Sequence, residues 1–350
     1  MRQLASNNLT MVDMFCGAGI GAIGFKMAGY DIIDAFDNKD YAVKTYNRNI
    51  GDHARIADIR NLSAEDVSYA DVYVGGFPCT PFSFAGKGDG TENEKSGDLG
   101  YHFYRLVKEK QPKAFIVENV KGIISKKHRP FFDELLEKFT EAGYTVEWKL
   151  LDCYDYGVAQ KRERVFIVGV RDDLGFNYVF PEKVADSERK TLRDVIGDLP
   201  DPDGKNNHAG YGIRKDEAPF IDKVPPGGNW RSLDVEDQKV FMKGSYDLGG
   251  GRTGYIRKML FDKPALTITS NMNGKFNAQI IDNRDKYRDD TVDSAPRRFT
   301  VRECLRIQSV PDWFSFSDDI SIAKQYERCS GIPSLVAYKL STALAKQLNQ

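Results

Sequence analysis

The sequence predicts an α/β protein with a doubly wound, mostly parallel sheet and a smaller, loop-rich second domain. Three observations predict this fold. The chain opens with the apolar run LTMVDMF, a glycine-rich turn and a helical segment, which is the start of a βαβ pattern. A continuous apolar run at residues 113–120, KAFIVENV, is typical of a strand buried on both faces. After Arg171 the periodicity weakens, and six prolines between Pro181 and Pro226 predict the second domain.

The composition is that of a globular chain. Of its 350 residues, 41% are hydrophobic and 12% are aromatic, which is enough for a core of domain size. No run approaches the roughly 18 apolar residues of a membrane helix. The N-terminal stretch MRQLASNNLTMVDMF lacks the long apolar region of a signal peptide. We therefore expect no membrane association and a cytoplasmic location.

The cysteines argue against a disulfide framework or a structural zinc site. There are five, which is an odd number, and they are widely spaced with no CxxC pair. We expect reduced thiols and no metal.

Charge is distributed unevenly along the chain. The formal net charge is −1, so the overall charge does not indicate a polyanionic partner. Basic residues nevertheless gather at residues 121–129, 161–164, 252–263 and 297–306. Each stretch alone is typical of a solvated face, but four of them favour one positive surface that binds nucleic acid.

The first strand and turn predict a nucleoside cofactor. Gly17, Gly19 and Gly21 would let the polar end of a ligand approach the backbone at the start of the first helix. Asp37 ends the second strand about twenty residues later, where an acid can bond ribose hydroxyls. A third strand is expected to close at residues 57–59, where Asp58 could accept from an adenine amino group. A surface carboxylate is the alternative for Asp58.

The stretch DVYVGGFPCTPFS at residues 71–83 predicts a reactive cysteine. A strand ends at two glycines, Pro78 fixes the local backbone, and Cys79 follows at the sheet edge. A buried cysteine in a Pro-Gly turn is the alternative. The polar, glycine-rich stretch FSFAGKGDGTENEKSGDLG comes next, and we expect it to act as a lid over Cys79.

The end of a further strand carries a candidate site residue. After a helix over residues 101–110, the strand at 113–120 ends in Glu118, at the edge where open α/β sheets bind ligands. Glu118 is therefore expected to share a crevice with Cys79; an acid that caps the next helix is the alternative.

The arginine-rich segment follows a helix over residues 130–142 and a strand over 144–152. Gln160, Arg162 and Arg164 alternate toward one face as the chain enters a strand at 165–170. This pattern suits a polar or anionic group, although an exposed strand edge would show it too.

Beyond Pro181 the candidate contacts lie in loops. Residues 249–276 mix glycine, arginine, threonine and asparagine, a composition suited to phosphate and base-edge contacts; ordinary loop chemistry is the alternative. Thr300 and Glu303 predict a capping box, and residues 334–348 predict an amphipathic packing helix.

Five motifs, in this order, resemble the C5-cytosine DNA methyltransferases, including their bacterial restriction-modification members. They are FCGAGIGAIGF, GGFPCTPFS, FIVENV, QKRERVFIVG and RRFTVRECLRIQSVPDWF. The resemblance covers most of the chain and is far more specific than a lone Pro-Cys pair. It implies the Rossmann-like fold of S-adenosylmethionine-dependent methyltransferases. It also implies a catalytic and cofactor-binding domain at residues 1–180, a target-recognition domain and hinge at 181–316, and a C-terminal segment at 317–350 that returns to the catalytic domain.

The resemblance implies a covalent mechanism. Cytosine C5 is a poor nucleophile, so the family adds a cysteine thiolate to C6, and the matching residue is Cys79. By motif match, Glu118 would bind N3 as a protonated carboxyl and Arg162 would bind O2, with Arg164 beside them. The target cytosine would be rotated out of the duplex.

The resemblance also implies the ligands. We expect S-adenosylmethionine as methyl donor and S-adenosylhomocysteine as product, without a metal. The expected cofactor contacts are Phe15, Gly17, Gly19, Asp37, Asn38, Asp58, Ile59 and Pro78. The expected DNA contacts are Ser83, Gln160, Arg257, Thr267 and Arg297. The expected partners of a monomer are double-stranded DNA and a cognate restriction endonuclease that shares the target site.

Several positions depart from the family pattern. The ribose acid, usually glutamate, is Asp37, and Asn38 replaces a residue that often stacks on the adenine. Residues 96–100, SGDLG, lack the usual arginine and aromatic, which bears on Leu99 as a cofactor contact. Ser330 stands where the family usually has the asparagine of a Gly-Asn pair.

Other functions were weighed against DNA methylation. Methylation of a tRNA cytosine would use the same fold, but the long region 181–297 speaks against it. A catalytically silent DNA-binding relative is motivated by Asn38, Ser330 and the altered residues 96–100. A nucleotide-dependent dehydrogenase would leave Cys79, Glu118 and Arg162 unexplained. Because the catalytic residues of the motifs are intact, we expect an active enzyme.

Overall fold

The computed structural model describes residues 1–77, 99–247, 254–272, 274, 279–289, 291–292 and 296–350. The chain divides into two units. The first comprises Met1–Tyr156, Glu163–Lys183 and Gly331–Gln350. The second comprises Gly157–Arg162 and Val184–Ser330.

The strands, in chain order, are β1 (Thr10–Met14), β2 (Asp31–Asp37), β3 (Ala54–Ile56), β4 (Val72–Gly75), β5 (Ala114–Val120), β6 (Tyr144–Asp152), β7 (Gln160–Lys161), β8 (Glu163–Arg171), β9 (Arg257–Lys258), β10 (Ala265–Leu266), β11 (Gln279–Ile281) and β12 (Arg297–Arg298). The α-helices are α1 (Ile20–Met27), α2 (Asp40–Asn49), α3 (Leu99–Lys110), α4 (Arg129–Glu141), α5 (Leu192–Ile196), α6 (Ala218–Ile221), α7 (Val235–Met242), α8 (Asn283–Tyr287), α9 (Val301–Ile307), α10 (Ile322–Arg328) and α11 (Ser334–Leu348).

The first unit contains a sheet of order β3-β2-β1-β4-β5-β8-β6. Strands β1 to β5 run parallel, whereas β8 is antiparallel to both β5 and β6. The predicted doubly wound, mostly parallel sheet is therefore confirmed. The chain winds outward in both directions from β1, so the switch point of the topology lies between β1 and β4. Ligands of open α/β sheets bind outside the carboxyl ends of the strands at such a point.

Apolar residues bury both faces of this sheet. On one face, Phe115 of β5 packs against Phe139 of α4, with ring centroids 4.2 Å apart. Phe103 of α3 joins the same fully buried cluster. The sheet is thereby held as a rigid platform, so the side chains at its carboxyl edge start from fixed backbone positions.

On the other face, α11 packs closely against α1. A Cβ on Gly24 would lie 2.2 Å from the carbonyl oxygen of Ser334, so this approach requires glycine. The Ser334 hydroxyl donates to the Ile20 carbonyl at 2.7 Å, and the Tyr30 hydroxyl donates to the Ser341 carbonyl at 3.0 Å. The helix predicted for residues 334–348 is confirmed, and it completes the helical layer over β1 and β2.

The second unit is built from short elements and loops around its own core. A three-stranded sheet has the order β12-β11-β9, and β10 pairs with β7 in parallel. The core contains Phe220, Trp230, Phe241, Ile256 and Ile280.

Element boundaries agree with the sequence predictions except at the third strand. The strand over 144–152 and the capping box of Thr300 and Glu303 are confirmed. The prediction that residues 57–59 close the third strand is wrong, because β3 ends at Ile56. Asp58 instead caps a one-turn 3-10 helix by accepting from the backbone N–H of Arg60. No helix in the described part of the chain is long and apolar enough to cross a membrane.

Candidate active site

The turn after β1 has the geometry of a cradle for a ligand. Phe15, Gly17 and Gly19 all have positive φ angles, of 64°, 54° and 88°. A positive φ in a non-glycine residue such as Phe15 costs conformational energy and is often found at functional sites. A Cβ on Gly17 would meet no atom within 4 Å, so this backbone is open to a ligand.

Asp37 ties the end of β2 to this turn. One carboxylate oxygen accepts from the Gly17 N–H at 3.1 Å, and the other accepts from the Lys39 N–H at 3.0 Å. Asn38, next in the chain, is exposed. The predicted ribose acid and the predicted glycine-rich turn therefore lie together at the carboxyl ends of β1 and β2.

Asp13 is a residue that the sequence analysis missed. It lies on β1 with a relative exposure of only 5%. Burial, and then the nearby charge of Asp37, raises the pKa of Asp13 to about 8. The signal in the sequence was an acid inside the apolar strand TMVDM, where a charged group is costly.

Asp58 lies in the short 3-10 turn after β3. Its carboxylate accepts from the Arg60 guanidinium, with Nε to Oδ1 at 2.9 Å, and this hydrogen bond is the first cause that lowers the pKa of Asp58. Ile59 is buried, and its carbonyl and that of Leu62 accept from the Arg105 guanidinium of α3. The turn is thus anchored from two sides.

Glu118 and Arg164 form an ion pair at the ends of β5 and β8. The Arg164 Nε lies 2.8 Å from Glu118 Oε1, and each side chain is 13% exposed. The angles at this contact are outside hydrogen-bond geometry, so it is a charge contact rather than an aligned hydrogen bond. The pair is held by charge and remains partly open to solvent.

The same strand end is joined to the segment that leads to Cys79. A Cβ on Gly76 would lie 3.6 Å from Glu118 Oε2, and the Asn119 amide donates to the Phe77 carbonyl at 3.2 Å. Phe77 in turn contacts Phe15 edge-to-face, with centroids 6.3 Å apart. Glu118 therefore lies beside the backbone that follows β4.

Three predicted site residues, Pro78, Cys79 and Ser83, lie outside the described residues, as does the predicted lid up to residue 98. Leu99, whose role as a cofactor contact the sequence analysis questioned, begins α3 and is partly buried against the core of the first unit.

Arg162 belongs to the second unit. It is 3% exposed, and its Nη1 donates to the carbonyl of Ile268 at 2.9 Å. Parallel pairing of β7 with β10 brings these segments together, and the Thr267 hydroxyl donates to the Lys161 carbonyl at 3.0 Å. Residues 160–162 and 265–268 thus form one paired structure that contains both Arg162 and Thr267.

Gln160 is fully buried within the same paired segments. Its Oε1 accepts from the Ile268 N–H at 2.7 Å, and its Nε2 donates to Gln308 Oε1 at 2.8 Å. Both ends of the amide are therefore used within the protein.

The two arginines predicted to contact DNA are partly buried. Arg297 forms two hydrogen bonds of 2.8 Å with the carboxylate of Glu303, and the side chain is 17% exposed. Burial lowers the pKa of Arg257. Among the described residues no group of three potential metal ligands is present, and the four described cysteines are buried and in the thiol form.

The comparisons with known proteins agree with this architecture. A sequence model of the family described as "C-5 cytosine-specific DNA methylase" matches residues 9–349. The type II methyltransferase M.MthTI of Methanothermobacter thermautotrophicus is 34% identical over 349 residues, covering 98% of each chain. The type II methyltransferase M.Eco47II of Escherichia coli is 33% identical, covering 99% of this chain and 81% of the relative.

Solved structures share the fold at lower identity. A methyltransferase encoded within an Escherichia coli prophage superposes with a TM-score of 0.69 at 21% identity, covering 98% of this chain and 100% of that one. The S. pombe Dnmt2 methyltransferase gives a TM-score of 0.66 at 17% identity, with 98% and 100% coverage. With the family match spanning nearly the whole sequence, the chain belongs to the C-5 cytosine-specific DNA methylase family, and it is a DNA (cytosine-5-)-methyltransferase that uses S-adenosylmethionine as methyl donor.

Proposed function

We propose that this enzyme methylates C5 of a flipped-out cytosine in one specific duplex DNA sequence through a covalent adduct between Cys79 and C6. The observation that carries the proposal is the partly open Glu118–Arg164 pair beside Gly76, three residues before Cys79 in the chain. A carboxyl group near a nucleophile at the edge of an open sheet is what addition to a pyrimidine ring requires.

The cofactor site is proposed at the switch point of the sheet. The open turn at Gly17 and Gly19 fits a ligand that approaches the backbone, and the Asp37 carboxylate fits ribose hydroxyls. When bound there, S-adenosylmethionine supplies an electrophilic methyl group on a sulfonium. The remaining proposed contacts are Phe15, Asn38, Asp58, Ile59 and Pro78. Because Arg60 already holds Asp58, an adenine amino group would share that carboxylate with Arg60.

Four residues have separate proposed roles around the cytosine. The Cys79 thiolate adds to C6, and the displaced electron pair moves toward N3 and O2. Glu118, protonated, donates to N3, and Arg162 donates to O2, so that C5 becomes nucleophilic. Arg164, whose Nε lies 2.8 Å from Glu118 Oε1, orients the Glu118 side chain. After transfer, a base removes the proton from C5, the bond between sulfur and C6 breaks, and the ring regains its double bond.

DNA contacts are proposed mainly for the second unit. Thr267 lies in the loop paired with β7, where the resemblance places a recognition loop. Arg257 and Arg297 are the proposed basic contacts, and a phosphate at Arg297 would share the guanidinium with Glu303. Ser83 is proposed from sequence alone. Gln160 is fully buried, so we propose that it orients its neighbours and contributes to DNA binding indirectly.

The wider assignments rest on the relatives and on the sequence. M.MthTI and M.Eco47II carry the name type II methyltransferase, which supports a restriction-modification role with a cognate endonuclease. We propose a cytoplasmic monomer that needs no metal. We also propose a catalytic domain at 1–180, a recognition domain and hinge at 181–316, and a returning segment at 317–350.

The test is transfer of labelled methyl groups to duplex DNA, followed by bisulfite sequencing to find the target. Wild-type protein is expected to label DNA, and Cys79→Ala is expected to lose transfer while still binding S-adenosylmethionine. DNA with 5-fluorocytosine at the target should trap a covalent complex, because fluorine cannot leave C5 as a proton does. Equal transfer by Cys79→Ala would contradict the covalent mechanism, and labelling of tRNA instead of DNA would contradict the substrate.

A further inference from the structure

A chain of buried amides runs through the second unit. It starts at the Ile268 N–H, which donates to Gln160 Oε1 at 2.7 Å, and continues from Gln160 Nε2 to Gln308 Oε1 at 2.8 Å. It ends where Gln308 Nε2 donates to the Cys329 carbonyl at 2.7 Å. Both glutamines have a relative exposure of 0%.

The direction of this chain is fixed by its ends. A backbone N–H can only donate and a backbone carbonyl can only accept, so neither glutamine amide can be flipped without placing like groups together. A buried polar network with every member paired favours one conformation over its alternatives. The two glutamines therefore fix one arrangement of three segments that are far apart in sequence.

The segments that the chain joins carry the proposed chemistry of this unit. Next to Gln160, Arg162 donates to the Ile268 carbonyl, and Thr267 donates to the Lys161 carbonyl. Gln308 follows the end of α9. The N–H and the carbonyl of Ile268 are thus bound by Gln160 and Arg162 respectively, so the arginine and the recognition loop share one anchor.

We propose that Gln160 and Gln308 are positioning residues that hold Arg162 and the Thr267 loop as one rigid body, so that seating this loop on the DNA and aiming Arg162 at the cytosine are a single event. This inference rests on the roles proposed above for Arg162 and Thr267. Neither glutamine touches substrate in this scheme, and each acts through the segments that it joins.

The test compares Gln160→Met and Gln308→Met with wild type and with Gln325→Met. Gln325 is a matched control, because it is also buried in the second unit and its amide also bonds at both ends, to Ile320 and Asn207, away from β7. We expect kcat on the target duplex to fall on the order of 100-fold in the first two variants, since small displacements of a catalytic group have effects of this size. Binding of S-adenosylmethionine should stay within about twofold, and Gln325→Met should keep wild-type kcat.

The double variant Gln160→Met/Gln308→Met separates positioning from general damage. The double variant leaves two groups unpaired, the Ile268 N–H and the Cys329 carbonyl, which is the same number as each single variant leaves. Its loss should therefore be smaller than the product of the two single losses. Wild-type kcat in both single variants, or an equal loss in Gln325→Met, would overturn the proposal.

Amide hydrogen exchange makes the inference testable apart from catalysis. The Ile268 N–H should exchange about tenfold faster or more in Gln160→Met, because its acceptor is gone, and should be unchanged in Gln325→Met. If wild-type protein labels no DNA, the proposed function fails while this measurement still decides whether the glutamines hold the loop. Unchanged exchange in Gln160→Met would overturn the positioning role.

Discussion

Each unit of this protein contains a close arginine–glutamate pair. The N···O distances of the two pairs are similar, but the pairs differ in exposure and in hydrogen bonding. Glu118 and Arg164 of the first unit lie 2.8 Å apart, each 13% exposed, in a contact without aligned hydrogen bonds. Glu217 and Arg298 of the second unit are 0% and 2% exposed and share two hydrogen bonds of 2.9 and 2.7 Å. In the first pair the atoms in contact form no hydrogen bond, whereas in the second both oxygens of Glu217 accept from Arg298 Nη2, as expected of a structural pair.

The buried pair should give the largest effect on stability. Glu217→Ala leaves the Arg298 guanidinium uncompensated in the interior, and we expect the free energy of unfolding to fall by about 3–5 kcal/mol. Urea unfolding followed by tryptophan fluorescence would measure it. Asp216→Ala is the control, because its exposed pair with Arg214 should be worth under about 1 kcal/mol. Equal losses in both variants would remove the distinction between the pairs.

The open pair should instead affect catalysis. Glu118→Gln keeps the size of the side chain but changes its protonation chemistry, so we expect methyl transfer to fall by about 100- to 1,000-fold. Its unfolding free energy should fall by less than that of Glu217→Ala, because both side chains of this pair keep some contact with solvent. Glu163→Gln is the control, since Glu163 lies on the neighbouring strand in an exposed pair with Lys121 and should keep full activity. If the Glu118→Gln enzyme were as active as wild type, the Glu118–Arg164 pair would have only a structural role.

A third carboxyl group, that of Asp13, extends the comparison, because its ionisation makes the stability of the fold depend on pH. Asp13 is buried beside the like charge of Asp37, and its pKa rises from 3.8 to about 8. The folded chain therefore binds the proton more tightly than the unfolded chain, and stability falls as pH rises through 8. We expect a decrease of about 3 kcal/mol between pH 6 and pH 9 from this group, most of it below pH 8. Urea unfolding of Asp13→Asn should show a flatter profile, and an identical profile would contradict the assignment.

Local patterns predicted much of this molecule. Apolar runs and their ends predicted the parallel sheet, and strand-end acids predicted Asp37 and Glu118 at its carboxyl edge. The capping box at Thr300 was also predictable, because a helix start depends on residues three apart.

Contacts between distant segments were not predictable. Glu217 and Arg298 are separated by 81 residues, and Gln160 and Gln308 by 148, with loops between them that carry no period. The predicted third strand extended too far, because β3 ends at Ile56 and Asp58 already caps the 3-10 helix that follows. Gln160 alternated with Arg162 in sequence, which indicated a shared face but not that this face is turned inward.

The contact between α1 and α11 has a consequence for how the enzyme is made. Ser334 and Ile20 are hydrogen-bonded across 314 positions, and Gly24 lies against the Ser334 backbone. While the ribosome is still synthesising the second unit, α1 lacks this partner and its apolar side stays uncovered. Contacts of such long sequence separation form late. The helical layer beside the glycine-rich turn can close only after α11 has left the ribosome, so we expect a chain without α11 to leave the apolar side of α1 exposed.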